Sequence, residues 1–125
     1  MFSKSVSVFL VVGHTDLRGA FDSLAAVTRN VLGMDPTSGA LYLFVNRRGN
    51  RLKALWWDRD GYILLYKRKA KGRFPIPTNV KPGCKCLQIS AADFASLLAG
   101  LPMVAGSKTP YTGDWTIEQP KKYSN

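Results

Sequence analysis

Three strand-like runs follow one another closely, Ala40 to Asn46, Arg51 to Trp57 and Tyr62 to Lys69. The segments between them, Arg48-Gly49-Asn50 and Asp58-Arg59-Asp60-Gly61, are made of residues that readily adopt hairpin turns. This pattern constrains the fold more than any other in the chain. Short apolar runs joined this tightly pair with their sequence neighbours, so an antiparallel meander is expected.

Four-residue loops, Arg47 to Asn50 and Asp58 to Gly61, would set Asn46 opposite Arg51 and Trp57 opposite Tyr62. Side chains alternate across a sheet, so two faces emerge. One carries Leu41, Leu43, Val45, Leu52, Ala54, Trp56, Ile63 and Leu65, an aliphatic face for helices to cover. The other carries Tyr42, Phe44, Asn46, Arg51, Lys53, Leu55, Trp57, Tyr62, Leu64, Tyr66 and Arg68. That face has two readings. It is similar in kind to the open sheets that stack single-stranded bases. Alternatively, Leu55 and Leu64 at its middle call for a second covering element, because large apolar patches are seldom left exposed.

The flanks supply the remaining elements. Ser5 and Ser7 alternate with Val6 and Val8, which predicts a buried first strand over Ser5 to Val12 rather than a cleaved leader. Thr15 or Asp16 can cap a helix whose stripe is Leu17, Phe21, Leu24, Thr28 and Val31, with Gly33 as its stop. Asp35-Pro36 opens a turn that runs to Gly39. Phe74-Pro75-Ile76-Pro77 is extended, since each proline restricts its predecessor. A short strand fits Lys85 to Ile89. Ser90, with Asp93 three residues on, caps a second helix carrying Phe94, Leu97, Leu98 and Leu101. The expected fold class is therefore α+β, a single domain over residues 1–104. It has an antiparallel sheet of four to five strands and two packed helices. Residues 105–125 are polar and Pro/Gly-punctuated, an arm or a partly disordered tail.

Charge points to a partner. Lys and Arg number 18 against 8 Asp and Glu, a net charge of +10. Ten of those cations lie between Asn46 and Arg73, where only Asp58 and Asp60 offset them and Trp56, Trp57, Tyr62 and Tyr66 intervene. Basic charge attracts phosphate irrespective of sequence, and aromatic faces stack on bases. The candidate nucleic-acid-binding residues are Arg47, Arg48, Arg51, Lys53, Trp57, Tyr66, Lys67, Arg68, Lys69, Lys71 and Arg73. An acidic membrane surface would also satisfy the charge, but no stretch approaches the ~20 apolar residues that span a bilayer. A location in the cytoplasm is expected, with no membrane partner.

Catalysis is poorly provided for. His14 is the only histidine and has no companion for base chemistry. Asp58 and Asp60 belong to an ordinary D-x-D-G turn and are too few for two-metal phosphoryl chemistry. Cys84 and Cys86 lack the further ligands of a structural zinc site and would close a strained, very small disulfide loop, so reduced thiols are expected. No phosphate-binding glycine motif occurs. The expectation is a non-enzyme without cofactor or metal.

The string SGALYLFVNRRGNRLKALWWDRDGYILLYKR, followed by KGRFPIP, resembles the TnpB accessory protein of bacterial insertion sequences of family sixty-six, which is distinct from the RNA-guided nuclease of the same name. Upstream, TDLRGAFDSLAAV is similar to that family's T-D-M-R-K-x-F-D-G-L, departing at Gly19, where the family often has Lys. The likeness runs from about Val8 to Pro77. It implies a small factor encoded beside a separate DDE-type transposase, and it brings no catalytic residues with it. Two functions stay open. The chain binds DNA through its basic block, or it docks on the cognate transposase as an adaptor without touching DNA, since interfaces also favour aromatics and Arg.

Overall fold

The meander forms with the expected pairing. β2 (Leu41–Val45), β3 (Arg51–Asp58) and β4 (Gly61–Arg68) are consecutive antiparallel strands, and Trp57 lies opposite Tyr62. The second hairpin is tighter than a four-residue loop. Asp58 pairs with Gly61, and Arg59 takes φ +57° in the two-residue turn, the left-handed conformation such turns demand. The structure, a computed structural model, describes residues 6–77, 80–103 and 109–111.

β1 (Val8–Val11) is inserted beside β2 and parallel to it, and β5 (Cys86–Ile89) runs antiparallel on its other side. The sheet order is β4-β3-β2-β1-β5-β6, where β6 is Thr109–Tyr111. The fold is α+β with a mostly antiparallel sheet. The sequence reading had no parallel pair. A parallel pair needs a crossover, and α1 (Phe21–Asn30) supplies it between β1 and β2. Most of the expected arm, residues 105–125, lies outside the described residues, as does Ser5 of the expected first strand.

The helices take opposite faces of the sheet, not one. α2 (Ala91–Leu98) packs Phe94, Leu97 and Leu98 on the aliphatic face with Leu10, Leu43, Ala54 and Trp56. α1 packs Leu24 and Ala25 on the other face, over Phe9, Tyr42, Phe44 and Leu55. The aromatic face is therefore a second core rather than an open stacking platform. Trp56 is buried and Trp57 is half-buried on the opposite side, as their phase required. β1 is buried along its whole length because both faces are covered.

The caps differ in outcome. Ser90 does cap α2, its hydroxyl accepting from the Asp93 N–H at 3.0 Å. Neither Thr15 nor Asp16 caps α1, which begins at Phe21 after Ala20 and has no side-chain cap. Asp16 instead bonds the Arg18 backbone and guanidinium, the local competition through which Asp often favours a turn over a helix start. Leu17 is buried ahead of the helix, while Phe21 and Val31 are exposed, so the expected stripe is right only at Leu24 and Thr28. Gly33, at φ +67°, closes α1 as expected, with the Met34 N–H returning to the Thr28 carbonyl. Leu101 lies past the end of α2 and is exposed.

Candidate nucleic-acid interface

Strand direction sorts the charges. Val11 pairs with Cys86, Val45 with Leu52 and Arg51 with Arg68. The carboxyl ends of β1, β2 and β4 and the amino ends of β3 and β5 thus share one end of the sheet. Arg47, Arg48, Arg51, Arg68, Lys69, Lys71 and Arg73 all lie there. Lys85, whose carbonyl accepts from the Val12 N–H, joins them, and Lys81 leads into the same strand. The opposite end holds Asp35, Asp58 and Asp60, with Arg59 between the last two. Lys81 and Lys85 were missed because their position depends on β5 pairing with β1, which no local pattern announces.

The loops at the basic end are held firmly. The Asn46 side-chain oxygen accepts from the Asn50 and Arg51 N–H groups at 3.1 and 3.0 Å, closing the turn that presents Arg47 and Arg48. Gly49 adopts φ +73° there, and its carbonyl accepts from the Phe74 N–H at 2.7 Å. The Arg73 Nε donates to the Arg48 carbonyl at 2.8 Å. These bonds staple the segment after β4 onto the β2–β3 turn. Between them runs a groove of about 440 Å³, with Val12, Val45, Phe74 and Ile76 as apolar walls and Arg47, Arg73 and His14 at its rim.

Not every predicted cation reaches solvent. Lys53 is only 8% exposed, and its ammonium donates to the carbonyls of Leu17 at 2.6 Å and Gly19 at 2.8 Å. It also stands 5.0 Å from the centre of the Tyr66 ring. Lys53 therefore ties the β1–α1 loop to the sheet, with its ammonium turned inward rather than to solvent as the sequence pattern suggests. Lys67 donates to the Leu98 carbonyl at the end of α2, and Lys69 to the Arg73 carbonyl at 3.3 Å. Arg47, Arg48 and Lys71 are exposed, with no side-chain partner among the described residues. Arg68 is also exposed and lies opposite the half-buried Arg51.

The aromatics do not line this end. Trp57 sits at the acidic end, its indole N–H donating to the Arg59 carbonyl at 3.1 Å and its ring edge-on to Tyr62 at 5.0 Å. This removes it from the basic cluster. Tyr66, 50% exposed, is the one predicted aromatic on the same strand end as Arg68.

Residues 6–107 match the family model described as IS66 Orf2 like protein. The chain belongs to the IS66 Orf2-like family. It is 39% identical over 98 residues to the uncharacterized protein y4hO of Sinorhizobium fredii, covering 78% of this chain and 83% of that one. A second uncharacterized protein of that organism, y4jC, is 31% identical over 108 residues, covering 86% and 90%. No solved structure matches. Membership supports an accessory role in transposition of an insertion sequence. Among the described residues no helix is long and apolar enough to cross a membrane.

Proposed function

We propose that this accessory protein binds DNA through the basic end of its sheet, with phosphate contacts from Arg47, Arg48, Arg51, Arg68, Lys71 and Arg73. One observation carries the reading: the topology collects cations from four separate segments at one end, where the loop carboxylate Asp16 is already paired with Arg18, and leaves Asp35, Asp58 and Asp60 at the other. Such a charge separation focuses a positive potential and steers a polyanion to that end. The hydrogen bonds of Asn46, Gly49 and Arg73 hold the donors in place before any partner arrives, which lowers the ordering cost of binding. Contacts of this kind recognise backbone rather than sequence.

The test is fluorescence anisotropy with duplexes carrying an element end or random sequence, across a salt series. If four to six phosphates are neutralised, log K falls against log salt with a slope of about −4 to −5. No binding at low salt would overturn the proposal. Retention of the cognate transposase from nuclease-treated extract would then favour the adaptor function.

A further inference from the structure

We infer that β4 pairs with β4 of a second copy, joining two sheets across a two-fold axis. β4 is the edge of the sheet, eight residues long, without proline. Edges of this kind are templates for another strand unless blocked. In the ladder the Lys69 N–H donates to the Asn50 carbonyl, and in the other direction the Asn46 N–H donates to that of Arg51. A strand residue aims its N–H and C=O to the same side. Residues 61, 63, 65, 67 and 69 therefore bond inward to β3. Tyr62, Leu64, Tyr66 and Arg68 aim their backbone groups outward, where no described residue meets them.

That parity restricts which registers two copies can share. A two-fold centred on Leu64 places Leu64 opposite Leu64, Tyr62 opposite Tyr66 and Asp60 opposite Arg68. Leu64, Tyr62, Tyr66 and Arg68 lie on the α1 side of the sheet, Asp60 stands in the turn that precedes β4, and the three central pairs carry about two main-chain bonds each. On the α2 side the same register sets Ile63 against Leu65, which is 37% exposed in the single chain. Apolar and aromatic complementarity thus coincide in one register, which also brings the Asp58-Arg59-Asp60 turn of each copy level with Arg68 and Lys69 of the other. Antiparallel pairing also lays the acidic end of each copy beside the basic end of the other.

A second observation is independent of the edge. Arg51 and Arg68 are directly opposite on β3 and β4, a like-charge pair that destabilises a sheet. The one salt bridge among the described residues is Arg18–Asp16, so no described carboxylate relieves them. Asp60 of a second copy would arrive beside Arg68. The joined sheet would carry its two basic ends at opposite extremes.

Sedimentation equilibrium of the full chain over about 1 to 200 µM tests this, because self-association follows concentration. The mass should rise from 13.8 kDa toward twice that value. Reversing one charge, Asp60→Arg or Arg68→Asp, acts twice in a symmetric interface and should weaken the dimer about tenfold. Asp60→Arg combined with Arg68→Asp should restore it to within about threefold of the original. Both positions are exposed, so the variants keep their fold. Amide exchange supplies a second readout: the Leu64 and Tyr66 N–H groups should gain protection as concentration rises. A monomer at every concentration overturns the inference. So does a dimer indifferent to both single reversals whose Leu64 and Tyr66 amides still exchange freely.

Discussion

Lys53 and Lys71 belong to the same basic stretch and carry the same charge, yet they stand in opposite surroundings. Lys53, on the α1 side of the sheet, points into a site built from two backbone carbonyls and the face of Tyr66. Lys71, in the loop after β4, faces water with no described partner. Around Lys53 the cation holds the chain together. Around Lys71 the backbone is already held by Asn46, Gly49 and Arg73, and Arg47, Arg48 and Lys71 have no side-chain partner among the described residues. Charge density along a sequence therefore overstates the electrostatic surface, because some cations serve as long-reach hydrogen-bond donors.

The largest expected effect follows from Lys53. Lys53→Met keeps the aliphatic stem but leaves the Leu17 and Gly19 carbonyls without their charged donor. A hydrogen bond to a charged group contributes about 1.5–3 kcal/mol, so losing two should cost about 3–6 kcal/mol in denaturant melts. A loss below about 0.5 kcal/mol would erase the distinction between the two regions.

Lys67 sharpens it. Its ammonium meets the Leu98 carbonyl at the end of α2, where a cation also suits the helix dipole. The site is exposed, so Lys67→Met should cost only about 0.5–1 kcal/mol in the same melts. Arg47→Ala and Arg48→Ala remove side chains with no described partner and should stay within about 0.5 kcal/mol of the parent.

Much of this contrast could not be read from the sequence, for a definable reason. Periodicity fixed the meander, the Trp57–Tyr62 register and the opposite burial of Trp56 and Trp57, because those depend on neighbours along the chain. Ser90 was legible for the same reason. The placement of β1 in the middle of the sheet, parallel to β2, depends on pairing between distant segments and leaves no local trace. With β1 misplaced, both helices were assigned to one face, and the aromatic face could be read as open or covered. Lys53 alternates with Arg51 and so looked like a surface residue, but its partners are carbonyls of residues 17 and 19, which carry no side-chain signal. Lys81 and Lys85 reach the basic end only through β5.

Arg18 offers the mildest case, a cation committed to a surface carboxylate. Its hydrogen bonds hold the Asp16 carboxyl at about 2, below the usual carboxylate range. A depressed value in the folded state means that the contribution is present above the ordinary carboxylate pKa and is lost as pH falls through about 2. Because the pair is exposed, solvent screens it. Asp16→Asn should leave stability at neutral pH nearly unchanged, while a carboxylate NMR titration should find Asp16 still ionised at pH 3. A midpoint near the ordinary value would show that the fork does not form.

The most direct measurement compares salt slopes of DNA binding for two variants beside the parent. In one, Arg47, Arg48 and Lys71 are all changed to Ala; in the other, Lys53 is changed to Met. Each lost phosphate contact removes about 0.9 from the slope, so the triple variant should lose about two to three units. Lys53→Met should keep the parent slope at a temperature where it remains folded. A slope that falls with Lys53→Met and holds in the triple variant would contradict the division between cations that hold the fold and cations that meet DNA.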